Sequence, residues 1–323
     1  MSKRYAIVSI GTNSTRLLLA DVEPDVPRVE LVRSSGTRIG EGLGHPGALG
    51  DEPIRRTLEA VAQYQRAVRG RYIKLFAVAT SALRRASNEE AFAKQVEAEL
   101  GVPLRILSGE EEAAASYRGA LTAFGASNGQ SVGVLDVGGG SSEYAVGSAL
   151  EPESVVSCEI GAVRLTESVP ELAGGSGAPV EAALERARAA AREALAGLKE
   201  SPRAERFALV GGSATTAAAI VRGRPISGTF RLTRAMLQDV LAQLLGMTLE
   251  ERKAVPGMRP QRADILPAGI IAIDAAMEVL GAEEAIATTA DLLLGIVLQA
   301  RDASAGQRPV ARAGVRARKG MRQ

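Results

Sequence analysis

Two carboxylates, Asp136 and Glu143, bracket three glycines and two serines in Asp136-Val-Gly-Gly-Gly-Ser-Ser-Glu143. Gly138, Gly139 and Gly140 carry no Cβ, so their backbone N–H groups can converge on an anion without steric cost. Acids beside such a cradle repel the anion unless a cation sits between them. The glycines, the Ser141 hydroxyl and the carboxylate pair together point to phosphate and a hard divalent ion, Mg2+ or Mn2+. The same composition also describes a glycine-rich turn with two solvated acids, and the segment alone leaves both readings open.

A second copy of the pattern lies near the N-terminus. Val8-Ser-Ile-Gly-Thr-Asn-Ser-Thr-Arg-Leu-Leu18 aligns without a gap on Leu135 to Ala145, so that Ser9 faces Asp136, Gly11 faces Gly138, Ser14 faces Ser141 and Arg16 faces Glu143. Each copy reads as strand, glycine turn, strand, which is hairpin grammar. Two such units 127 residues apart imply two domains of one design, each bringing a phosphate loop to a shared cleft. Gly11, Thr12, Asn13 and Ser14 are then the first loop, and Gly138 to Ser141 the second.

The elements that must position these loops alternate between strands and helices. Asp51-Glu-Pro53 opens a helix, with proline in its first turn and acids at its positive end. Asn88 is expected to cap the next helix through its side chain. Ser108-Gly-Glu-Glu111 is a capping box after the short strand Leu104–Leu107. Glu111 is needed for the box; Glu112 has no capping duty and is a candidate for the cleft. The strand Phe207–Val210 enters Gly211-Gly-Ser-Ala-Thr-Thr216, read as a third phosphate-type loop with Gly212 and Ser213 at a helix N-terminus. It lacks the lysine of a Walker loop. Pro267 marks the start of an apolar helix that reaches Leu280.

A chain of 323 residues is long enough for about two domains with separate cores. The domains are expected at 1–125 and 126–302, with the last helix able to fold back on the first, followed by a basic, disordered tail at 303–323. That tail holds six basic residues and no acid; without it the net charge of +2 becomes −4. The polar stretch Gly125–Ser131 is the natural boundary, and Ala173–Ala178 reads as a flexible loop. The single cysteine, Cys158, excludes an intrachain disulfide, and one histidine, His45, leaves no zinc site. No segment reaches membrane-spanning length, so a cytoplasmic protein is expected.

Taken together, Ile10-Gly-Thr-Asn-Ser14, Ala79-Thr-Ser-Ala-Leu-Arg84, Ser108-Gly-Glu-Glu-Glu-Ala113, the central loop, Gly161-Ala-Val-Arg-Leu165 and Arg262-Ala-Asp264 with Gly269 resemble the exopolyphosphatase and guanosine pentaphosphate phosphohydrolase (Ppx/GppA) family. The resemblance spans about residues 5–300. It implies an α/β protein of two ribonuclease H-like, actin-like ATPase domains with the active site between them. It implies that Glu112 activates water, that Asp136 and Glu143 hold the metal, and that Arg16, Arg84 and Arg262 neutralise substrate charge. The implied substrate is inorganic polyphosphate or pppGpp, with no specific nucleic acid or membrane partner, and the family suggests a homodimer.

The chain departs from the family at two places. Ser9 stands where members usually carry Asp, and Leu293-Leu294-Gly295 stands where Arg-Glu-Gly is common. A non-catalytic polyphosphate or nucleotide sensor and a kinase of the same superfold are the competing readings.

Overall fold

The computed structural model describes residues 3–23, 25–44, 47–124, 129–174 and 181–304. The expected boundary at 125/126, most of the loop at 173–178, His45 and the tail from 305 onward lie outside the described residues.

In the first half, β1 (Arg4–Ile10), β2 (Thr15–Asp21) and β3 (Arg28–Ser35) form an antiparallel meander. Then come α1 (Asp51–Val68), β4 (Lys74–Ala79), α2 (Ser81–Arg85), α3 (Glu89–Leu100), β5 (Leu104–Ile106) and α4 (Gly109–Leu121). Strands β4 and β5 extend the sheet in parallel on the β1 side, giving the order β3-β2-β1-β4-β5. Such parallel steps need helical crossovers, which α1 and α3 provide.

The second half repeats the plan. It begins with the meander β6 (Val132–Val137), β7 (Ser142–Gly147) and β8 (Ser154–Cys158). Next are α5 (Ala162–Ser168), α6 (Glu181–Leu195), β9 (Arg206–Val210), α7 (Gly211–Arg222), β10 (Thr229–Thr233), α8 (Arg234–Leu245), α9 (Leu249–Ala254), α10 (Leu266–Leu280), β11 (Glu284–Thr288) and α11 (Leu292–Ser304). The sheet order is β10-β11-β9-β6-β7-β8, with β6, β9 and β11 parallel. Two ribonuclease H-like units are therefore present, as expected. No helix among the described residues is long and apolar enough to cross a membrane.

Strands β1 and β6 are buried along almost their whole length because helices cover both faces. This explains their continuous apolar runs. Two helices tie the halves together: α4 packs on β6, β7 and β8, whereas α11 packs on α4 and on β1 and β2. Leu292, Leu293, Ile296 and Val297 bury their side chains against Tyr5, Ile7 and Leu18. Across the opening, Arg38 makes two 2.7 Å bonds to the Asp264 carboxylate.

The capping box at Ser108 forms as expected: Glu111 N–H donates to Ser108 Oγ at 3.1 Å and Ser108 N–H to Glu111 Oε2 at 2.9 Å. Asn88 does not cap α3 with its side chain; it pairs instead with both backbone groups of Leu49. The expected loop at Gly211–Thr216 is also corrected. Strand β9 passes directly into α7, whose first residue is Gly211 at φ +86°. The left-handed turn at that glycine replaces a connecting loop.

Candidate active site

The two glycine turns meet face to face. A Cβ built on Gly139 would lie 3.0 Å from Thr12 Cβ, and one on Gly140 would lie 2.8 Å from Thr12 Oγ1 and 2.7 Å from Ser81 Oγ. Each turn closes with the same bond, Gly11 N–H to Ser14 O and Gly138 N–H to Ser141 O, both 3.0 Å. In each, two carbonyls are held from behind. Thr12 O accepts from Gly40 N–H and Asn13 O from Arg38 N–H, while Gly138 O accepts from Ala162 N–H and Gly139 O from Val163 N–H. In a trans peptide the following N–H points opposite to its carbonyl. The amides of Asn13 and Ser14, and of Gly139 and Gly140, are thereby aimed away from those backing segments. The motif Gly161-Ala-Val gains its reason here: a Cβ on Gly161 would meet the Gly139 carbonyl carbon at 2.5 Å.

Between the turns lies a cavity of about 80 Å3 walled by both loops, Ser9, Arg16, Glu112, Asp136, Gly212 and Arg262. Sequence reasoning thus assembled most of one site from separate segments. Three expected residues lie outside its walls. Arg84 is turned to the acids: it donates to Glu112 Oε2 at 2.8 Å and Ser141 Oγ at 3.3 Å, and lies 3.8 Å from Glu143 Oε1. It neutralises carboxylates where a free phosphate clamp was expected. Glu143 stands behind it, buried, accepting from Ser157 Oγ at 3.0 Å. Ser213, inside helix α7, faces Gly269 of α10 because the third residue of that helix turns toward the core.

The three acids are short of positive charge. Burial raises Glu112 to about 7, opposed by its bond to Arg84. Burial raises Asp136 to about 6, opposed by a 2.8 Å bond from Ser116 Oγ. Burial, then Glu112 and then Asp136, push Glu143 well above the usual carboxylate range. Glu143 Oε2 is buried with no hydrogen-bond partner among the described residues. These features fit a cation held by Asp136 and Glu143, which are cross-strand partners on β6 and β7. No three His, Cys, Asp or Glu side chains among the described residues form a ligand cluster. A metal here would take its remaining ligands from water and substrate oxygens, in the manner of Mg2+.

Opposite the acids, Arg16 and Arg262 line both this cavity and a second one of about 600 Å3, which Arg33 and Arg259 also border. Arg262 donates to Ser14 Oγ at 3.4 Å, and its guanidinium lies over Gly212, where a Cβ would collide with it. Burial, with Arg259 and Arg16 nearby, lowers Arg262 to about 9, opposed by Asp136 and Asp264. Ser116 was legible in principle: it sits four residues after Glu112 on the same helix face. Asp291, which pairs with Arg16 at 2.7 Å, carried no sequence signal.

A model described as the Ppx/GppA phosphatase family matches residues 28–300. Exopolyphosphatase 2 of Mycobacterium tuberculosis is 32% identical over 317 residues, covering 91% of this chain and 98% of the relative. A guanosine-5'-triphosphate,3'-diphosphate pyrophosphatase of Vibrio vulnificus is 27% identical, covering 86% of this chain and 55% of its own. The crystal structure of the Aquifex aeolicus member of the Ppx/GppA family matches with a TM-score of 0.77 at 25% identity, covering 96% of this chain and 100% of that one.

Proposed function

Because the chain belongs to the Ppx/GppA phosphatase family, we propose that it is an exopolyphosphatase that hydrolyses the terminal phosphate of inorganic polyphosphate with Mg2+ or Mn2+. Conversion of pppGpp to ppGpp is the second activity of the same site. Family membership makes the chain a phosphoanhydride hydrolase. A cytoplasmic location and a homodimer complete the reading.

Phosphoryl transfer asks a protein chiefly for positioning and charge neutralisation. The amides of both turns, Arg16 and Arg262 would hold the terminal phosphates. A divalent ion held by Asp136 and Glu143 would offset charge on the reacting oxygens. Water at Glu112 attacks the terminal phosphorus as the bond to the bridging oxygen breaks. Its proton passes to the Glu112 carboxylate, and the shortened polyanion leaves with the bond's electron pair.

The observation that carries this reading is Glu112 itself, which projects from a capped helix end into the crevice between the two turns. A base in that position suits water as nucleophile, with no acceptor hydroxyl required. Phosphate release is to be measured with long polyphosphate, tripolyphosphate, pppGpp and ATP, for wild type and Glu112→Gln. The expected result is Mg2+-dependent release that falls roughly 10²–10⁴-fold in the variant. Tight binding without turnover, unchanged by the substitution, would establish a sensor instead. Transfer only to an added acceptor would establish a kinase.

A further inference from the structure

Asp136 on β6 has no acidic counterpart at Ser9 on β1, although the two positions match in the paired hairpins. Ser9 and Arg16 are direct cross-strand partners, close enough that a longer acidic side chain at position 9 would meet the guanidinium. Serine cannot make that ion pair. Arg16 reaches elsewhere: its Nη1 lies 2.7 Å from Asp291 Oδ2 at the start of α11. We propose that Asp291 is a positioning residue, supplying from α11 the carboxylate that the first hairpin lacks and holding Arg16 over the reacting phosphates.

The attachment is rigid. Asp291 is buried, and its other oxygen, Oδ1, accepts from Leu293 N–H at 3.2 Å. Helix α11 in turn is locked to α4 at van der Waals distance. A Cβ on Gly119 would run into the Asp291 carbonyl, and one on Gly295 into the Ala115 carbonyl. Helix α4 carries Glu112 and also Ser116, the partner of Asp136. The α4–α11 pair therefore sets the distance between the group that activates water and the guanidinium that grips phosphate. Arg16 lines both the small and the large cavity, so its orientation acts on the phosphates held between the turns.

The catalytic part of this inference rests on the reading of the site as a phosphatase. Asp291→Asn removes the charge and leaves a side chain that caps a helix as well as aspartate does. On tripolyphosphate, kcat is expected to fall about tenfold with KM not raised. Adding Ser9→Asp to Asp291→Asn should recover most of the kcat, which a merely structural role of Asp291 would not allow. The Arg16 side-chain Nε–Hε NMR signal, assigned by its loss in Arg16→Lys, provides a readout independent of turnover. It should be sharp in wild type, broadened in Asp291→Asn and restored in the double variant. An Arg16 signal unchanged by Asp291→Asn, or a kcat unrecovered in the double variant, overturns the inference. Wild type releasing no phosphate overturns the phosphatase reading alone, and the NMR result still decides the role of Asp291.

Discussion

In the hairpin of β1 and β2, Gly11 N–H closes on Ser14 O, and backbone donors from Arg38 and Gly40 hold the turn's carbonyls. In the hairpin of β6 and β7, Gly138 N–H closes on Ser141 O, and α5 supplies the equivalent donors. Backbone for backbone the two turns are alike, yet their flanking pairs differ: Ser9 with Arg16 in one, Asp136 with Glu143 in the other. One turn is flanked by a guanidinium, the other by two buried carboxylates, and on the proposed reading the first serves phosphate and the second a cation. One backbone plan thus carries different side chains both within the turn, where Thr12 and Asn13 match Gly139 and Gly140, and in the pair that flanks it.

The largest effect expected from the hairpins themselves sharpens that contrast. Asp136→Asn should lower kcat/KM roughly 10²–10³-fold, the cost of deleting one preorganised charge at a reacting centre. Ser9→Ala, at the matching position, should cost less than about tenfold on the same scale. Equal losses in steady-state assays would mean that the hairpins share the work.

The next test acts on the distance between the turns. Gly140→Ala places a methyl between Thr12 and Ser81 and should separate the loops enough to cost about 10²-fold in kcat. Gly11→Ala, whose methyl would lie 3.3 Å from Ser14 O, should cost less. A Gly140 variant of normal activity would show that the turns do not act on one phosphate.

The smallest effect is on stability and belongs to the second hairpin and α4. Glu112 and Asp136 ionise less readily in the folded protein than their ordinary 4.5 and 3.8. Below about pH 3 both are protonated in either state, so no stability is lost. As pH rises toward 7 the unfolded chain sheds these protons first, and stability falls. For Glu112 the loss is on the order of 3 kcal/mol. Thermal melts in EDTA should therefore show a lower Tm at pH 8 than at pH 5, with Mg2+ restoring it at pH 8. Glu112→Gln should raise Tm at pH 8 without metal. A metal-free Tm that is flat across this range would contradict the burial of uncompensated acids.

Much of this site was legible because it is written locally. Glycine runs, the capping box at Ser108 and the matching hairpins each depend on residues a few positions apart, and local backbone preference enforces them. The fate of Arg84 was not legible: its sequence neighbours place it at a helix end, but its partners Glu112 and Glu143 come from other elements. Ser213 failed for a related reason. Strand β9 runs straight into α7, and helical phase aims that hydroxyl at Gly269 and away from the cleft.

The sequence by itself determined two hairpins with anion-ready turns, and an acid at position 112 left over from capping. It did so because turn geometry and helix caps are set by neighbouring residues. Only the tertiary structure decided which side chains from distant elements meet around the site: Arg16 with Asp291 and Ser116 with Asp136. Those pairings depend on how α4 and α11 pack between two sheets, through contacts separated by up to 275 residues, and no local preference encodes them.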